Sequence, residues 1–119
     1  MLNDLDKQTL IDNLKRQSLR LKSELDIPLN QAQLFLSRYI YQVKDLNCLK
    51  KRIKRGDLSE FVFLSAVHPN ANPSFIDKFK DQFPIIILSI ESSPIRERYN
   101  GNVSRLILNV FGFKNFENL

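Results

Sequence analysis

The chain has one cysteine, one histidine, three glycines and no tryptophan in 119 residues, and each scarcity closes off some chemistry. Cys48 alone makes no internal disulfide, which points to a reducing, cytoplasmic setting. A lone His leaves no cluster for a divalent cation, so neither a metal nor another cofactor is expected. The scattered glycines build no loop that cradles phosphate. The longest apolar run, PIIILSI at 84–90, is far too short to cross a bilayer. The N-terminal stretch MLNDLDKQTLIDNLKRQS carries acids where a secretory leader needs a basic region and then an apolar one. No membrane partner is expected.

What is present suffices for one folded domain over 1–119: 43% of the residues are hydrophobic and nine are Phe. The net charge of +5 is unevenly spread. Residues 1–56 hold twelve Lys or Arg against six acids, and residues 57–119 hold six against seven. The densest stretch is CLKKRIKRG at 48–56, with five cations in nine residues. A partner of negative potential would meet the N-terminal part first.

Helical spacing is clear in that part. Leu10, Ile11, Leu14, Leu21 and Leu25 share one stripe of a first helix, with Leu19 opposite them between Lys15, Arg16 and Lys22. Pro28 ends it and Asn30 is placed to cap a second helix through Ala32, Phe35, Leu36, Tyr39, Ile40 and Val43. Asp45 caps a third, with Leu46, Leu49 and Ile53 inward and Gly56 as its stop.

Beyond Gly56 the pattern changes. FVFLSAV at 61–67 and PIIILSI resemble strands covered on both faces, and between them Asn72 and Pro73 open a helix bearing Phe75, Ile76, Phe79 and Phe83. This predicts a parallel β-α-β unit with a right-handed crossover. Asp57 and Glu60 have capping-box spacing and offer a helix at 61–67 instead, but FVFLSAV has no polar face to show water, which favours a strand. After the Asn100-Gly101 turn, Asn102 caps Val103, Leu106, Ile107, Val110 and Phe111 in a helix ending at Gly112. The expected fold is therefore α+β: a basic three-helix part at 1–56, then β-α-β and a helical corner at 57–119. A two-strand sheet has open edges, which covering helices or a homodimer would protect.

LSRYIYQVKDLNCL at 36–49 aligns without a gap on LILNVFGFKNFENL at 106–119; both read as helix, short turn and capped helix, with Lys before a capping Asp45 or Asn115. The run from Leu14 to Leu49 resembles the small helical domain labelled glyoxalase-associated in plasmid and mobile-element proteins, a basic helix followed by IxLSxxQALxxxAxxxGYxDWxxL. Here Tyr41-Gln42-Val43 stands in place of the Gly-aromatic turn and Leu46 in place of the Trp. The resemblance implies a helical accessory module of a mobile element and not the enzyme, whose site would need His and Glu ligands.

Candidate sites are few. His68, in a polar turn with no second His or paired carboxylate nearby in sequence, reads as structural, and no catalytic residue is expected. In IESSPIRERY, Ser92, Ser93, Arg96 and Arg98 form a possible anion site, although Ser93 also suits a plain helix cap. Lys51, Arg52 and Arg55 lie opposite the apolar stripe of the third helix, flanked by Lys50 and Lys54. Like charges at (i, i+4) cost a few tenths of a kcal/mol per pair, about 0.2–0.5, so a compensating partner is expected. Lys15, Arg16, Arg20, Lys22 and Arg38 extend the patch if the first and third helices lie side by side. The sequence thus predicts a non-enzymatic protein that contacts nucleic acid nonspecifically through the phosphate backbone, or, alternatively, an adaptor or inhibitor that docks on an acidic protein surface.

Overall fold

The computed structural model describes residues 6–115, and every regular element among them is helical. Asp6 accepts a hydrogen bond from the Gln8 N–H at 3.2 Å and opens α1, Lys7–Leu25. Its buried face carries Leu10, Leu14, Leu21 and Leu25, and beside them two amides, Asn13 and Gln17. Asp26, in left-handed conformation, closes the helix.

Pro28 is the cap residue of α2, Leu29–Phe35; Asn30, expected as the cap, sits inside the first turn. The last turn widens into a π turn, Leu36–Ile40, whose exit is set by the Tyr41 N–H bonding to the Leu36 carbonyl at 3.0 Å. Asp45 caps α3, Leu46–Lys54, by accepting from the Cys48 N–H at 2.9 Å, and Leu49 and Ile53 face the core.

The β-α-β unit is absent, and the α+β expectation is corrected to an all-α fold among the described residues. Val62–Ala66 is a short 3₁₀ helix, not a strand. It is buried on every side, with Val62, Phe63, Leu64, Ser65 and Ala66 at 3% exposure or less. A strand satisfies its buried backbone with a ladder; here the segment's own turn bonds, such as the Val67 N–H to the Leu64 carbonyl at 3.1 Å, are completed by α1. The Asn13 amide donates to the Ser65 carbonyl at 2.8 Å and the Gln17 amide to the Leu64 carbonyl at 3.3 Å.

PIIILSI is likewise no strand but the second half of α4, Pro73–Glu91, which runs straight through Pro84. Pro84 is exposed, so the Lys80 carbonyl that loses its N–H partner faces water. Phe79, Phe83, Ile86 and Ile90 are buried at one continuous helical spacing across the proline. Ile85 and Leu88, exposed at 47% and 66%, interleave with them and make the segment look uniformly apolar in sequence.

A short helix α5, Pro94–Arg98, turns the chain into α6, Val103–Val110, capped by Asn102 as its spacing predicts. Beyond it Phe111 packs tilted against Phe79 with ring centroids 5.1 Å apart, and Phe113 stacks on it at 5.8 Å. The second helix of the expected corner would start at 116, outside the described residues. The aligned helix exits are built alike: Gln42 and Gly112 both take positive φ, each after a fully buried aromatic, Tyr41 or Phe111. The first is one residue wider, the Val43 N–H reaching back to Ser37 where the Phe113 N–H reaches Leu108. α1 is the hub of the fold and packs against α2, α3, α6 and the 3₁₀ helix.

Candidate functional site

Of the ten cations singled out above, four line one of two grooves on opposite flanks of α1: Lys15 and Lys50 on one side, Arg16 and Arg20 on the other. Position in the helix explains the division, because Lys15 and Lys22 point about a third of a turn or more away from Arg16 and Arg20. Lys15 faces α3, and Arg16 faces Val67 and His68, just beyond the 3₁₀ helix.

On the first flank, a groove of about 360 Å³ runs between α1, α2 and α3. Ile11, Leu14, Leu29 and Leu46 line it together with Lys15 and Lys50. Asp12 also borders it, held by the Gln8 amide at 2.9 Å. The two helices are fastened at the end of this groove, where the Lys7 ammonium donates to the Lys54 carbonyl at 2.6 Å. Lys22, Lys51, Lys54 and Arg55 are exposed.

Arg52 leaves the patch altogether. Its guanidinium pairs with Asp57 at 3.0 Å and Glu60 at 2.9 Å and donates to the Ser59 hydroxyl at 2.8 Å. Burial works against its charge, yet the two acids outweigh burial and raise its pKa further. Asp57 is held down to about 2, first by hydrogen bonds from Ser59 and then by Arg52. Asp57 and Glu60, the capping-box pair of the sequence, thus neutralise an arginine rather than open a helix. Arg38 is exposed and tied to the Lys44 carbonyl at 3.3 Å, away from the α1–α3 contact.

On the second flank, a cleft of about 290 Å³ is lined by Thr9, Asn13, Arg16, Gln17, Arg20, Val67 and His68. The Arg16 guanidinium donates to the Asn13 side-chain oxygen at 2.8 Å, and Arg20 to the Val110 carbonyl at 3.1 Å. His68 accepts at Nδ1 from the Asn70 N–H at 3.1 Å. Burial first, and the Arg16 charge second, push its pKa below the ordinary 6.5.

The Ser92, Ser93, Arg96 and Arg98 turn spends its polar groups internally. The Ser93 hydroxyl is buried and accepts from the Ile95 N–H at 3.1 Å while donating to the Ile90 carbonyl, and Ser92 donates to Leu88. Arg96 pairs with Glu91 at 3.0 Å and donates to the Tyr99 and Gly101 carbonyls. Arg98 is exposed. Cys48 is a half-buried free thiol.

Sequence reasoning passed over Leu29 as groove lining and Asn13 and Gln17 as buried scaffold. A signal for the amides exists: two of them one turn apart, inside the apolar stripe of α1, need buried backbone partners. Among the described residues no group of three or more His, Cys, Asp or Glu is placed to hold a metal ion, and no helix is long and apolar enough to cross a membrane. Comparison with protein-family models, with curated proteins and with solved structures finds no match to this chain.

Proposed function

We propose that the chain is a small binding protein that takes an acidic amphipathic helix of a partner protein into the groove between α1, α2 and α3. One observation carries this reading: an apolar lining of Ile11, Leu29 and Leu46 lies beside the lysines Lys15 and Lys50, which outnumber the one acid at the groove, Asp12. Such a surface matches a helix with leucine-like anchors on one face and carboxylates beside them. A phosphate backbone would find only half of it useful, since the apolar lining offers nothing to phosphate oxygens. Arg52 is also neutralised by its own acids, and Arg16 and Arg20 turn to the other flank. The contiguous stripe that nucleic-acid backbone contact needs is thereby interrupted.

The test is fluorescence anisotropy with a short labelled peptide carrying Leu at helical spacing and Glu elsewhere, beside its scrambled version and a DNA duplex. The ordered peptide binds better than either. Lys15→Glu with Lys50→Glu removes two rim pairs of about 1 kcal/mol each, roughly a thirtyfold loss. If the scrambled peptide binds equally, the groove lining plays no part and the reading falls. If the duplex binds more tightly and the double variant abolishes it, the nucleic-acid alternative replaces it.

A further inference from the structure

We infer that the cleft on the other flank of α1 is a binding site for a small phosphate-type oxyanion, held by the guanidiniums of Arg16 and Arg20 and the Nε2–H of His68. Three features converge on this.

The first is uncompensated charge. Arg16 and Arg20 stand one turn apart on α1 and line one cleft, an arrangement that costs free energy unless an anion meets it. Arg52 and Arg96 each have a carboxylate partner, whereas no ion pair involves Arg16 or Arg20 among the described residues. No carboxylate lines the cleft. The acids one turn away on α1, Asp12 and Glu24, lie outside the cleft lining and pair with neither arginine, accepting instead from the amides of Gln8 and Asn109.

The second is preorganisation. Each guanidinium is fixed by a neutral oxygen, Asn13 Oδ1 or the Val110 carbonyl, which orients the fork without cancelling its charge. Asn13 is itself buried and locked onto Ser65 at 2.8 Å. The Gly112 backbone approaches Arg20 so closely that a Cβ there would lie 3.1 Å from a guanidinium nitrogen.

The third is the tautomer of His68. Its Nδ1 lone pair is taken by the Asn70 N–H at 3.1 Å, so the neutral ring carries its proton on Nε2. The imidazole therefore donates without first being protonated, and the Thr9 hydroxyl stands in the same cleft. Two forks and an N–H offer more donors than the two oxygens of a carboxylate accept, and they suit the several oxygens of a phosphate. A volume of about 290 Å³ lies at the small end of ligand sites and suits free phosphate or a compact phosphomonoester.

The experiment titrates the full chain with inorganic phosphate at constant ionic strength and follows the ring signals of His68 by NMR, unambiguous because the chain has one His. A saturable shift with a Kd of about 1 mM or tighter is expected. Arg16→Gln weakens binding about tenfold or more, Arg16→Lys weakens it less because charge survives while the fork is lost, and Lys80→Gln, on the exposed surface of α4 and outside the cleft lining, changes nothing. A glycerol phosphate arm separates the sources: tighter binding than phosphate assigns the site to organic monoesters, equal or weaker binding to the free ion. A shift that follows ionic strength without saturating, a malonate response equal to that of phosphate, or an Arg16→Gln chain that binds like the parent overturns the inference.

Discussion

Replacing Tyr41 by Phe removes one oxygen atom from the interior, and the surroundings make that deletion costly. Tyr41 is 1% exposed and its hydroxyl donates to Gln17 Oε1 at 2.6 Å. Gln17, also 1% exposed, gives its amide N–H to the Leu64 carbonyl. Without the hydroxyl, Gln17 Oε1 stays buried with no donor, a penalty of about 1–3 kcal/mol. At about 4 °C per kcal/mol for a domain of this size, a loss of about 2 kcal/mol lowers Tm by about 8 °C. Gln17→Met strands the Tyr41 hydroxyl instead, and the double variant strands neither. The two costs therefore fall short of additivity by about 1 kcal/mol in urea unfolding. pH supplies an independent arm. Burial pushes the Tyr41 pKa well above the ordinary 10.0. Its contribution is complete below pH 10 and is lost as pH rises past it, so the Phe variant has a flatter alkaline limb. An additive cycle, or a Tyr41→Phe cost below about 0.5 kcal/mol, would refute the relay.

Two further outcomes follow from neighbouring geometry. Asp57, held at about 2 by Ser59 and Arg52, has its carboxylate pKa below the unfolded value of 3.8. Its stabilising contribution is present above pH 4 and disappears as pH falls through about 2, where carbonyl NMR should place its titration midpoint; a midpoint near 3.8 would mean that neither the Ser59 bonds nor the Arg52 pair persists in solution. Gly112→Ala places a methyl group at φ +88° and 3.1 Å from the Arg20 guanidinium. It should cost about 1–2 kcal/mol by thermal unfolding and weaken phosphate binding along with it; unchanged stability with unchanged binding would show that neither strain nor displacement matters there.

Local signals served the helical half well. There the Asp45 cap and the inner stripes of α1 and α3 stand where spacing and side-chain chemistry put them, while the cap expected at Asn30 falls to Pro28; beyond Gly56 the caps at Asn72 and Asn102 also hold. The error over 57–119 has two physical sources. At Pro84 a proline that usually ends a helix lies on the exposed side of one, where a stranded carbonyl is hydrated at little cost. Ile85 and Leu88 then mask the period of Ile86 and Ile90 by being apolar where polar residues are the norm. At 62–66 the missing polar face is real, but it reflects burial of a 3₁₀ turn whose carbonyls are served by Asn13 and Gln17, about fifty residues earlier. No local pattern encodes that pairing. The same holds for the candidate sites: the sequence identifies Lys15, Lys50, Arg16, Arg20 and His68 singly, while only the fold sorts them into one groove with an apolar lining and one cleft without an acid.

The bond from Arg20 to the Val110 carbonyl spans ninety positions and closes the α1–α6 contact. A ribosome delivers α1 long before α6, so although α2, α3 and the 3₁₀ helix can already pack on it, the part of the first helix that α6 covers stays open until residues 103–110 have been made. Completion of the core is consequently a late event, and a nascent chain stalled short of α6 leaves apolar surface of α1 uncovered.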